Sequence, residues 1–499
     1  SLYPSSMISE NLSPDSKVWT IEYDMKGNVK EKWGEKNGVY DNLPGYKYVE
    51  VTYDTYKYVM KKKARETSPD VWEKIKVGRK TCRFAQFPDD KKGILPKVLM
   101  ELLAQRKVYK KKKKEAKTPF EKKLYDKRQL ATKLTANSLY GQCGAKTSAI
   151  YEIDIAAATT AVGRKLLGYA KEIVEGCYGD KIVNTKHGEM KTNAEYVYGD
   201  TDSVFFVFNL KDMKGNKIVG KKALDVTIEL AKRAEHLATN LLKDPHTLEY
   251  EKTFDPLLLL TKKRYVGMLY EEDINSGYRK EMGIVLKRRD NAPCVKDSYG
   301  GVVDILMKEN NIDKSVEFLE KYLLNLINGK IDINKLILSK SLRAYYKNPQ
   351  GIAHWVLAER MESREPGTRP AIGSRIPYVY IKTKTKSKLQ GDKIEHPDYI
   401  KKHKLKPDYN HYITNQIMKP LLQLFSLILE KLSKFQSKKL KYFSEIRKLK
   451  RKYKDDNIKM TEKIIKFKED EVYKIIFAPI LKKYESINKK AMYNNFFKV

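Results

Sequence analysis

The sequence predicts a mixed α/β (α+β) fold in which strand hairpins are combined with long helices. Residues 195–208 have the pattern of a tight β-hairpin, because apolar runs flank a turn that contains Gly-Asp-Thr-Asp. Residues 96–140 have the pattern of two helices joined by a short turn, and the chain from Gly300 onward is mainly helical in pattern. A chain of 499 residues exceeds one compact core, so two to four subdomains are expected.

The charge balance indicates a polyanionic partner. The chain has 100 Lys and Arg against 63 Asp and Glu, a formal net charge of +37. A basic surface also serves solubility, but so large an excess favours nucleic acid. No apolar run reaches the ~18 residues of a membrane span, and no signal peptide is visible. Four widely spaced cysteines indicate neither a zinc module nor a disulfide framework, and suit a reducing intracellular compartment.

The first third of the chain changes from strand-like to helical. Residues 17–92 are polar, rich in tyrosine and strand-like in places, and they indicate no chemistry. From Pro96, apolar residues at helical spacing predict a helix that ends near Ala116. Residues 118–121 (Thr-Pro-Phe-Glu) have the form of a capping box, so a second helix should run from there to Tyr140 and stop at the glycines just beyond. Two helices joined so closely form an antiparallel hairpin.

One face of this helical hairpin carries cations and an amide. Lys133, Asn137 and Tyr140 fall within an arc of roughly 60° on the second helix, at 100° per residue. Arg106 and Lys110 share a face of the first helix, and Arg106 lies about one helical turn from the level of Lys133. This face suits a phosphate chain. The lysine run at the tip of the hairpin has the composition of an ordinary solvated surface.

The β-hairpin carries two carboxylates at its tip. The continuous apolar runs predict buried strands, and alternation along an extended backbone would put Asp200 and Asp202 on one side and Thr201 on the other. Two such charges ~4 Å apart repel by about 4 kcal/mol at an effective dielectric near 20, so they share a proton or bind a cation. Hard oxygen ligands without a nearby His or Cys favour Mg²⁺. The alternative is an ordinary turn, since Asp and Gly favour turns in any case.

Five short motifs resemble family B DNA polymerases in their order and spacing. Residues 1–5 (Ser-Leu-Tyr-Pro-Ser), 133–141 (Lys-Leu-Thr-Ala-Asn-Ser-Leu-Tyr-Gly) and 198–203 (Tyr-Gly-Asp-Thr-Asp-Ser) resemble motifs A, B and C. Residues 262–265 (Lys-Lys-Arg-Tyr) resemble the primer–template motif, and 288–290 (Arg-Arg-Asp) a signature between palm and thumb. The resemblance covers roughly residues 1–420, and the residues after the first motif resemble polymerases of large nucleocytoplasmic DNA viruses.

The resemblance implies a right-hand polymerase with a mixed-sheet palm, helical-hairpin fingers and a mainly helical thumb. The implied palm comprises residues 1–95, with an insertion at 17–92, and residues 142–299. The fingers would be 96–141, and 300–499 would form the thumb with lysine-rich C-terminal helices. These helices either track duplex phosphates or form a solvated pair.

The resemblance also implies roles for individual residues. Asp202, and less directly Asp200, would hold two Mg²⁺ ions, and Lys133 would donate a proton to pyrophosphate. The remaining residues implied in nucleotide binding are Ser1, Leu2, Tyr3, Arg106, Lys110, Asn137 and Tyr140. Tyr3 would act as a steric gate against ribonucleotides, and Tyr140 would support the nascent base pair. The residues implied in contacts with the primer end are Lys262, Lys263, Arg264 and Tyr265.

Motif A of the family reads Asp-x-x-Ser-Leu-Tyr-Pro-Ser, which places a third metal-binding carboxylate three residues before Ser1. We therefore expect a fragment that carries two of three catalytic carboxylates, lacks the exonuclease domain and extends primers poorly by itself. The implied partners are primer–template DNA and deoxynucleoside triphosphates. Tyr493, Phe496 and Phe497 have the spacing of a peptide that docks on a sliding clamp, with packing on the thumb as the alternative.

Two other function classes compete with this prediction. A reverse transcriptase or an RNA polymerase also uses palm carboxylates, but adjacent aspartates would be expected instead of Asp-Thr-Asp. A non-catalytic DNA-binding module is the second alternative. Primer extension separates the polymerase classes by their choice of template and nucleotide.

Overall fold

The computed structural model describes residues 2–60, 72–287, 290–383 and 389–486. The chain forms two compact units, residues 1–253 and 254–499. Both units combine helices with small antiparallel sheets, which confirms the predicted mixed α/β class. Within the described residues, no helix is both long enough and apolar enough to cross a membrane. All four cysteines are free.

The first unit begins with helix α1 and a four-stranded antiparallel sheet in the order β2-β1-β4-β3. Their bounds are α1 Leu2–Ser9, β1 Lys17–Asp24, β2 Val29–Trp33, β3 Lys47–Met60 and β4 Trp72–Gln86. The sheet occupies the polar, tyrosine-rich segment that was predicted to be strand-like only in places. Its inner positions, with Val51, Cys82 and Phe84, join the core that also buries Met7 of α1 and Leu99.

Two long antiparallel helices, α2 (Ile94–Glu115) and α3 (Pro119–Gly144), form the predicted helical hairpin. The capping box is present, since Thr118 accepts from the backbone N–H of Glu121 and the Glu121 side chain accepts from the backbone N–H of Thr118. Helix α2 begins two residues before Pro96, which therefore occupies the third helical position, still within the turn that tolerates proline.

The rest of the first unit is built on helix α4. Its elements are α4 Ile153–Tyr178, β5 Lys181–Thr185, β6 Gly188–Thr192, β7 Glu195–Asp200, β8 Ser203–Val207 and α5 Gly220–Leu241. The strands form two separate hairpins, β5-β6 and β7-β8. Val174, Met190, Phe208 and Leu230 share one buried cluster, which holds these hairpins between α4 and α5.

The second unit has two three-stranded sheets, in the orders β11-β10-β9 and β12-β13-β14. The strands are β9 Thr253–Thr261, β10 Arg264–Tyr270, β11 Tyr278–Met282, β12 Leu338–Ser341, β13 Arg375–Tyr380 and β14 Ile394–Glu395. The helices are α6 Pro293–Lys308, α7 Ile312–Ile327, α8 Ala353–Arg364, α9 Pro397–Lys402, α10 Tyr409–His411, α11 Met418–Ile428, α12 Lys439–Lys452 and α13 Asn457–Val472. One continuous apolar core, with Tyr299, Leu319, Tyr412 and Phe425, packs these helices together.

A buried polar network joins the first sheet to the start of α4. The Asp154 carboxylate accepts from Lys17 Nζ at 2.9 Å, Thr20 Oγ1 at 2.9 Å and the Tyr53 hydroxyl at 2.8 Å. Lys17 also contacts Glu152 at 3.1 Å. Burial alone would raise the pKa of Asp154, but hydrogen bonds from Lys17, Tyr53 and Thr20 and the charge of Lys17 outweigh it and lower that pKa. The network therefore fixes strands β1 and β3 to α4.

Substitution of Asp154 should loosen this attachment. Asp154→Ala leaves Lys17 without its closest buried counter-charge, and we expect a loss of about 3 kcal/mol in the local stability of β1 and the start of α4. Because the folded-state pKa of Asp154 is lowered, its stabilisation is complete above the ordinary value of 3.8 and is lost as pH falls through the lower folded-state value. Hydrogen exchange of β1 between pH 3 and 7 measures both effects.

The exposed Glu31 on β2 provides the control. At each pH in this range, β1 should exchange in Glu31→Gln as it does in the unsubstituted protein. Equal protection in Asp154→Ala and the unsubstituted protein would contradict the anchoring role of Asp154.

Candidate functional site

The tip of the β7-β8 hairpin holds the two predicted carboxylates. Asp200 pairs with Ser203 across the hairpin, and the backbone N–H of Asp202 donates to the Asp200 carbonyl at 2.6 Å. Thr201 between them has φ of 58°, so the three residues form a γ-turn. The Thr201 hydroxyl donates to Asp200 Oδ1 at 3.1 Å, which orients that carboxylate.

Two details of the predicted hairpin are wrong. Strict alternation of Asp200, Thr201 and Asp202 required extended backbone, and the left-handed conformation of Thr201 removes it. The strands were predicted to be buried, but every residue of β7 and β8 is half-buried or exposed. The physical reason is that, among the residues that the structure describes, β7 and β8 form a two-stranded sheet by themselves, and a hairpin without further strands leaves much of its side chains accessible to solvent.

Helix α4 anchors the hairpin through its second half. The backbone N–H of Tyr196 on β7 donates to Glu175 Oε1 at 3.0 Å. The Lys171 ammonium lies 5.4 Å from the centre of the Tyr196 ring and 3.7 Å from Glu175. At the end of α4, Tyr178 packs its ring edge-on against Phe208, which directly follows β8. The acidic tip therefore projects from a base that is fixed at several points.

The predicted face of the helical hairpin is present. Arg106 Nε on α2 donates to Gln129 Oε1 on α3 at 3.3 Å. Gln129, Lys133 and Asn137 follow at intervals of four residues, so they share one side of α3. Arg106 and Asn137 are half-buried and Lys133 is exposed. The arginine therefore reaches the stripe that carries the lysine and the amide.

The far end of this stripe meets helix α1. Tyr140 of α3 stacks on Tyr3 of α1, with ring centres 4.2 Å apart and planes inclined by 17°. Burial, followed by the nearby Tyr3, raises the pKa of the Tyr140 hydroxyl. Leu2 packs on Gly163 of α4 so closely that a Cβ there would lie 2.9 Å from Leu2 Cδ2. A side chain at position 163 would therefore require Leu2 to move.

Lys110 lies closer to the hairpin tip than Arg106. It is exposed and lines a shallow cleft that it shares with Lys107, Lys111, Lys113, Lys114, Ala116 and Lys122. Lys113 is held by Asp126 of α3 at 2.5 Å. The predicted solvated lysine run is accordingly mostly exposed, with Lys113 as a half-buried member.

The remaining predicted residues lie in the second unit or outside the described residues. Lys262 and Lys263 form the exposed turn between β9 and β10, where Lys263 has φ of 61°. Arg264 donates to Gln423 Oε1 at 3.1 Å, and the buried Tyr265 packs edge-on against Phe254. Three predicted sets lie outside the described residues: Ser1, the first two residues of the Arg-Arg-Asp motif, and the predicted clamp-binding residues Tyr493, Phe496 and Phe497.

The donor chemistry at the hairpin tip fits Mg²⁺. Asp200 and Asp202 supply hard carboxylate oxygens on a partly exposed turn, and Mg²⁺ is typically held by one or two carboxylates together with waters and substrate phosphates. In the part of the chain that the structure describes, no three His, Cys, Asp or Glu side chains come together as a metal cluster. The carboxylates of Asp200 and Asp202 remain the candidate protein ligands because of their oxygen chemistry at the hairpin tip.

Several supporting residues were missed by the sequence analysis. Gln129 lies one turn before Lys133 on the same face of α3, so its spacing gave a signal that was overlooked. Lys171 and Glu175 of α4, which hold Tyr196, gave none, because their partner lies in another element. The same holds for Asp154, whose partners belong to β1 and β3.

Comparison with known proteins places these elements in a family context. Residues 1–428 match DNA polymerase family B. The chain is 42% identical over 540 residues to a DNA polymerase of Pyramimonas orientalis virus, covering 99% of this chain and 41% of that protein. It is 56% identical over 250 residues to a DNA polymerase of Phaeocystis pouchetii virus, covering 49% and 23%, respectively. The chain therefore spans less than half of either relative.

The fold is similar to that of the family B DNA polymerase from the hyperthermophilic archaeon Pyrobaculum calidifontis. The TM-score is 0.51 at 21% sequence identity, and the match covers 85% of this chain and 44% of the archaeal one. At this identity the similarity establishes the fold alone.

Proposed function

The chain belongs to DNA polymerase family B, and we propose that the intact protein adds deoxynucleotides to a primer 3′ end on a DNA template. The observation that carries this proposal is the stacking of Tyr3 on Tyr140. It joins the first predicted motif to the helical face with Lys133 and Asn137, in the same compact unit as the acidic hairpin. One unit thus holds cations for a triphosphate and carboxylates for a metal ion.

We propose that Asp200 and Asp202 bind divalent cations, with Mg²⁺ as the ion and two ions in the complete site. When bound, such ions stabilise the charge that develops on the attacking and leaving oxygens of phosphoryl transfer. The chain's own contribution is to hold the carboxylate side chains that bind the ions. The Thr201 hydroxyl fixes one carboxylate, and the contacts of Tyr196 with Glu175 and Lys171 fix the base of the hairpin. The Asp200 carboxylate and the base of the hairpin are thereby oriented before substrate arrives.

Arg106, Lys110, Lys133 and Asn137 are proposed to bind the triphosphate. A phosphate chain carries several negative charges, and charge-assisted hydrogen bonds to it are about twice as strong as neutral ones. Gln129 holds the Arg106 side chain at 3.3 Å and so limits its freedom before binding. Lys133 is exposed, and its ammonium is proposed to donate a proton to the departing pyrophosphate.

Tyr3 is proposed to discriminate against ribonucleotides, with the backbone of Ser1 and Leu2 beside the triphosphate. Its ring is fixed by the stack on Tyr140, so it presents a rigid surface to the sugar. Tyr140, in turn, is proposed to support the nascent base pair.

Tyr3→Ala should admit ribonucleotides. Removing the ring removes the steric barrier to a 2′ hydroxyl, and we expect the ratio of kcat/KM for deoxy- over ribonucleotides to fall by roughly tenfold to a hundredfold. Single-nucleotide incorporation by the intact protein measures this ratio. Tyr3→Phe retains the ring and should retain the discrimination. An unchanged ratio in Tyr3→Ala would exclude Tyr3 from this role.

The remaining assignments extend the proposal to DNA. The residues proposed to contact the primer end are Lys262, Lys263, Arg264 and Tyr265.

The proposed division of the chain follows the right-hand architecture. The palm would comprise residues 1–95 and 142–299, the fingers 96–141 and the thumb 300–499. The boundary between the compact units after residue 253 falls inside this palm segment. A sliding clamp is the proposed docking partner of Tyr493, Phe496 and Phe497. The viral relatives support a role for the intact protein in replicating the genome of a large DNA virus inside its host cell.

Primer extension by the intact protein tests the proposed function. We expect template-directed incorporation of deoxynucleotides on a DNA template in the presence of Mg²⁺. Efficient extension on an RNA template alone, or a preference for ribonucleotides, would contradict the proposal and indicate one of the other palm polymerases. Binding of primer–template without any extension would indicate a DNA-binding module.

A further inference from the structure

The outer end of the β3-β4 hairpin exposes an unusual set of side chains. The strands pair Tyr58 with Lys74 and Met60 with Trp72, and alternate residues of a strand share one side of the sheet. The exposed fractions are 62% for Tyr58, 54% for Met60 and 61% for Trp72. We call this surface the hairpin face; its members are Tyr56, Tyr58, Met60, Trp72, Lys74 and Lys76.

The hairpin face combines aromatic rings with cations. The Lys74 ammonium lies 4.2 Å from the centre of the Tyr56 ring, a cation–π distance. Lys76, opposite Tyr56, is an exposed cation that pairs with Asp54 at 2.7 Å. Large apolar side chains are usually buried, so solubility does not explain why these aromatic rings are exposed beside lysines. A ligand with flat rings and negative charge would satisfy both groups.

The inner end of the same side of the sheet is covered by the chain itself. Trp19 and Arg83 pair across β1 and β4, and Trp19 is only 2% exposed, with its Nε1–H donating to Asp41 at 3.2 Å. Lys36, from the same loop as Asp41, lies 5.6 Å from the centre of the Trp19 ring. In the described residues, the loop thus covers the inner aromatic rings and leaves Tyr58 and Trp72 exposed.

We propose that the hairpin face binds single-stranded nucleic acid, with bases stacked on Tyr56, Tyr58 and Trp72 and phosphates near Lys74 and Lys76. Alternate residues of a strand are about 7 Å apart, twice the 3.4 Å rise per nucleotide in a stacked duplex. Successive rings therefore suit the separated bases of an unpaired strand. Stacking on aromatic rings beside cations is how proteins bind single strands without sequence preference.

Charge and anchoring favour this ligand over a protein partner. The chain carries a net charge of +37, which attracts polyanions, and the face itself presents lysines beside its rings. The Asp154 network fixes β1 and β3 to α4, the helix that contacts Leu2 through Gly163. A strand bound to the hairpin face is therefore held at a constant position within the unit that carries Tyr3. This binding requires no nucleotide addition.

Tryptophan fluorescence titration with oligo-dT, without nucleotide or Mg²⁺, tests the proposal. Trp72 should be quenched on binding, and Trp72→Phe should remove this quenching while retaining most of the affinity, because a stacking ring remains. The double variant Tyr58→Ala, Trp72→Ala should bind oligo-dT about tenfold or more weakly, measured by fluorescence anisotropy of labelled DNA. Both side chains are exposed, so the fold should persist, and circular dichroism checks it.

Tyr40→Ala is the matched control, since Tyr40 is 72% exposed in the loop of the same sheet but lies outside the hairpin face. It should bind oligo-dT with unchanged affinity, and a duplex of equal length should not displace the oligonucleotide from Trp72. Unchanged affinity in the double variant, or no quenching of Trp72, would overturn the proposal. Asp202→Asn should leave this binding unchanged, which separates a failure here from a failure of the proposed polymerase activity.

Discussion

Asp202→Asn should reduce primer extension by the intact protein by about three orders of magnitude. The substitution removes a carboxylate charge from the hairpin tip while retaining the side-chain volume. If the divalent cation is held there, its loss removes several kcal/mol of transition-state stabilisation, and each 1.4 kcal/mol corresponds to a factor of ten. Affinity for primer–template should change little, because the loss concerns the chemical step. Single-turnover extension and DNA binding measure the two quantities separately.

Asp212→Asn is the matched control for this experiment. Asp212 also lies in a turn of the first unit, where its carboxylate accepts from the backbone and side chain of Asn216 at 2.8 and 2.9 Å. Its substitution should leave extension within about twofold, as expected of a surface turn. If Asp202→Asn and Asp212→Asn extend primers equally well, the hairpin tip is not the metal site.

Lys133→Ala should lower the rate of nucleotide incorporation by about a hundredfold and weaken nucleotide binding. A charge-assisted contact to a phosphate is lost, together with the proposed proton donor, and the removal of one such electrostatic contact typically reduces kcat by 10² to 10³. Pre-steady-state incorporation over a range of nucleotide concentrations separates the maximal rate from the apparent Kd.

Lys112→Ala provides the comparison. Lys112 lies at the tip of the same helical hairpin, is exposed and has its ammonium 5.9 Å from the Tyr125 ring. Removal of this surface charge should change incorporation by less than about threefold. Equal losses in Lys133→Ala and Lys112→Ala would mean that overall positive charge, and not the Lys133 face of α3, binds the triphosphate.

Local signals in the sequence predicted those elements whose determinants lie close together in the chain. The capping box at Thr118 and Glu121 fixed the start of α3, because both partners lie within one turn. Helical spacing correctly grouped Lys133 and Asn137, and the turn residues at Asp200 predicted the β7-β8 hairpin. The mixed α/β class followed from these elements.

Contacts between distant segments were not predicted from local patterns. The polar segment before residue 92 gave no sign that Lys17, Thr20 and Tyr53 converge on Asp154, since these partners are 101 to 137 residues away. The conformation of Thr201 was also missed. Alternation assumes an extended backbone, whereas the hydrogen bond of Asp202 to the Asp200 carbonyl folds it into a turn.

Iron-mediated cleavage most directly tests whether the hairpin tip holds the divalent cation. Fe²⁺ bound in place of Mg²⁺, with ascorbate and peroxide, produces hydroxyl radicals that cut the backbone close to the ion. With the intact protein bound to primer–template and nucleotide, we predict cuts within the hairpin Glu195–Asp200 and Ser203–Val207. Excess Mg²⁺ should suppress these cuts, and Asp202→Asn should abolish them. Metal-dependent cuts elsewhere in the chain, with none at this hairpin, would contradict the assignment of Asp200 and Asp202.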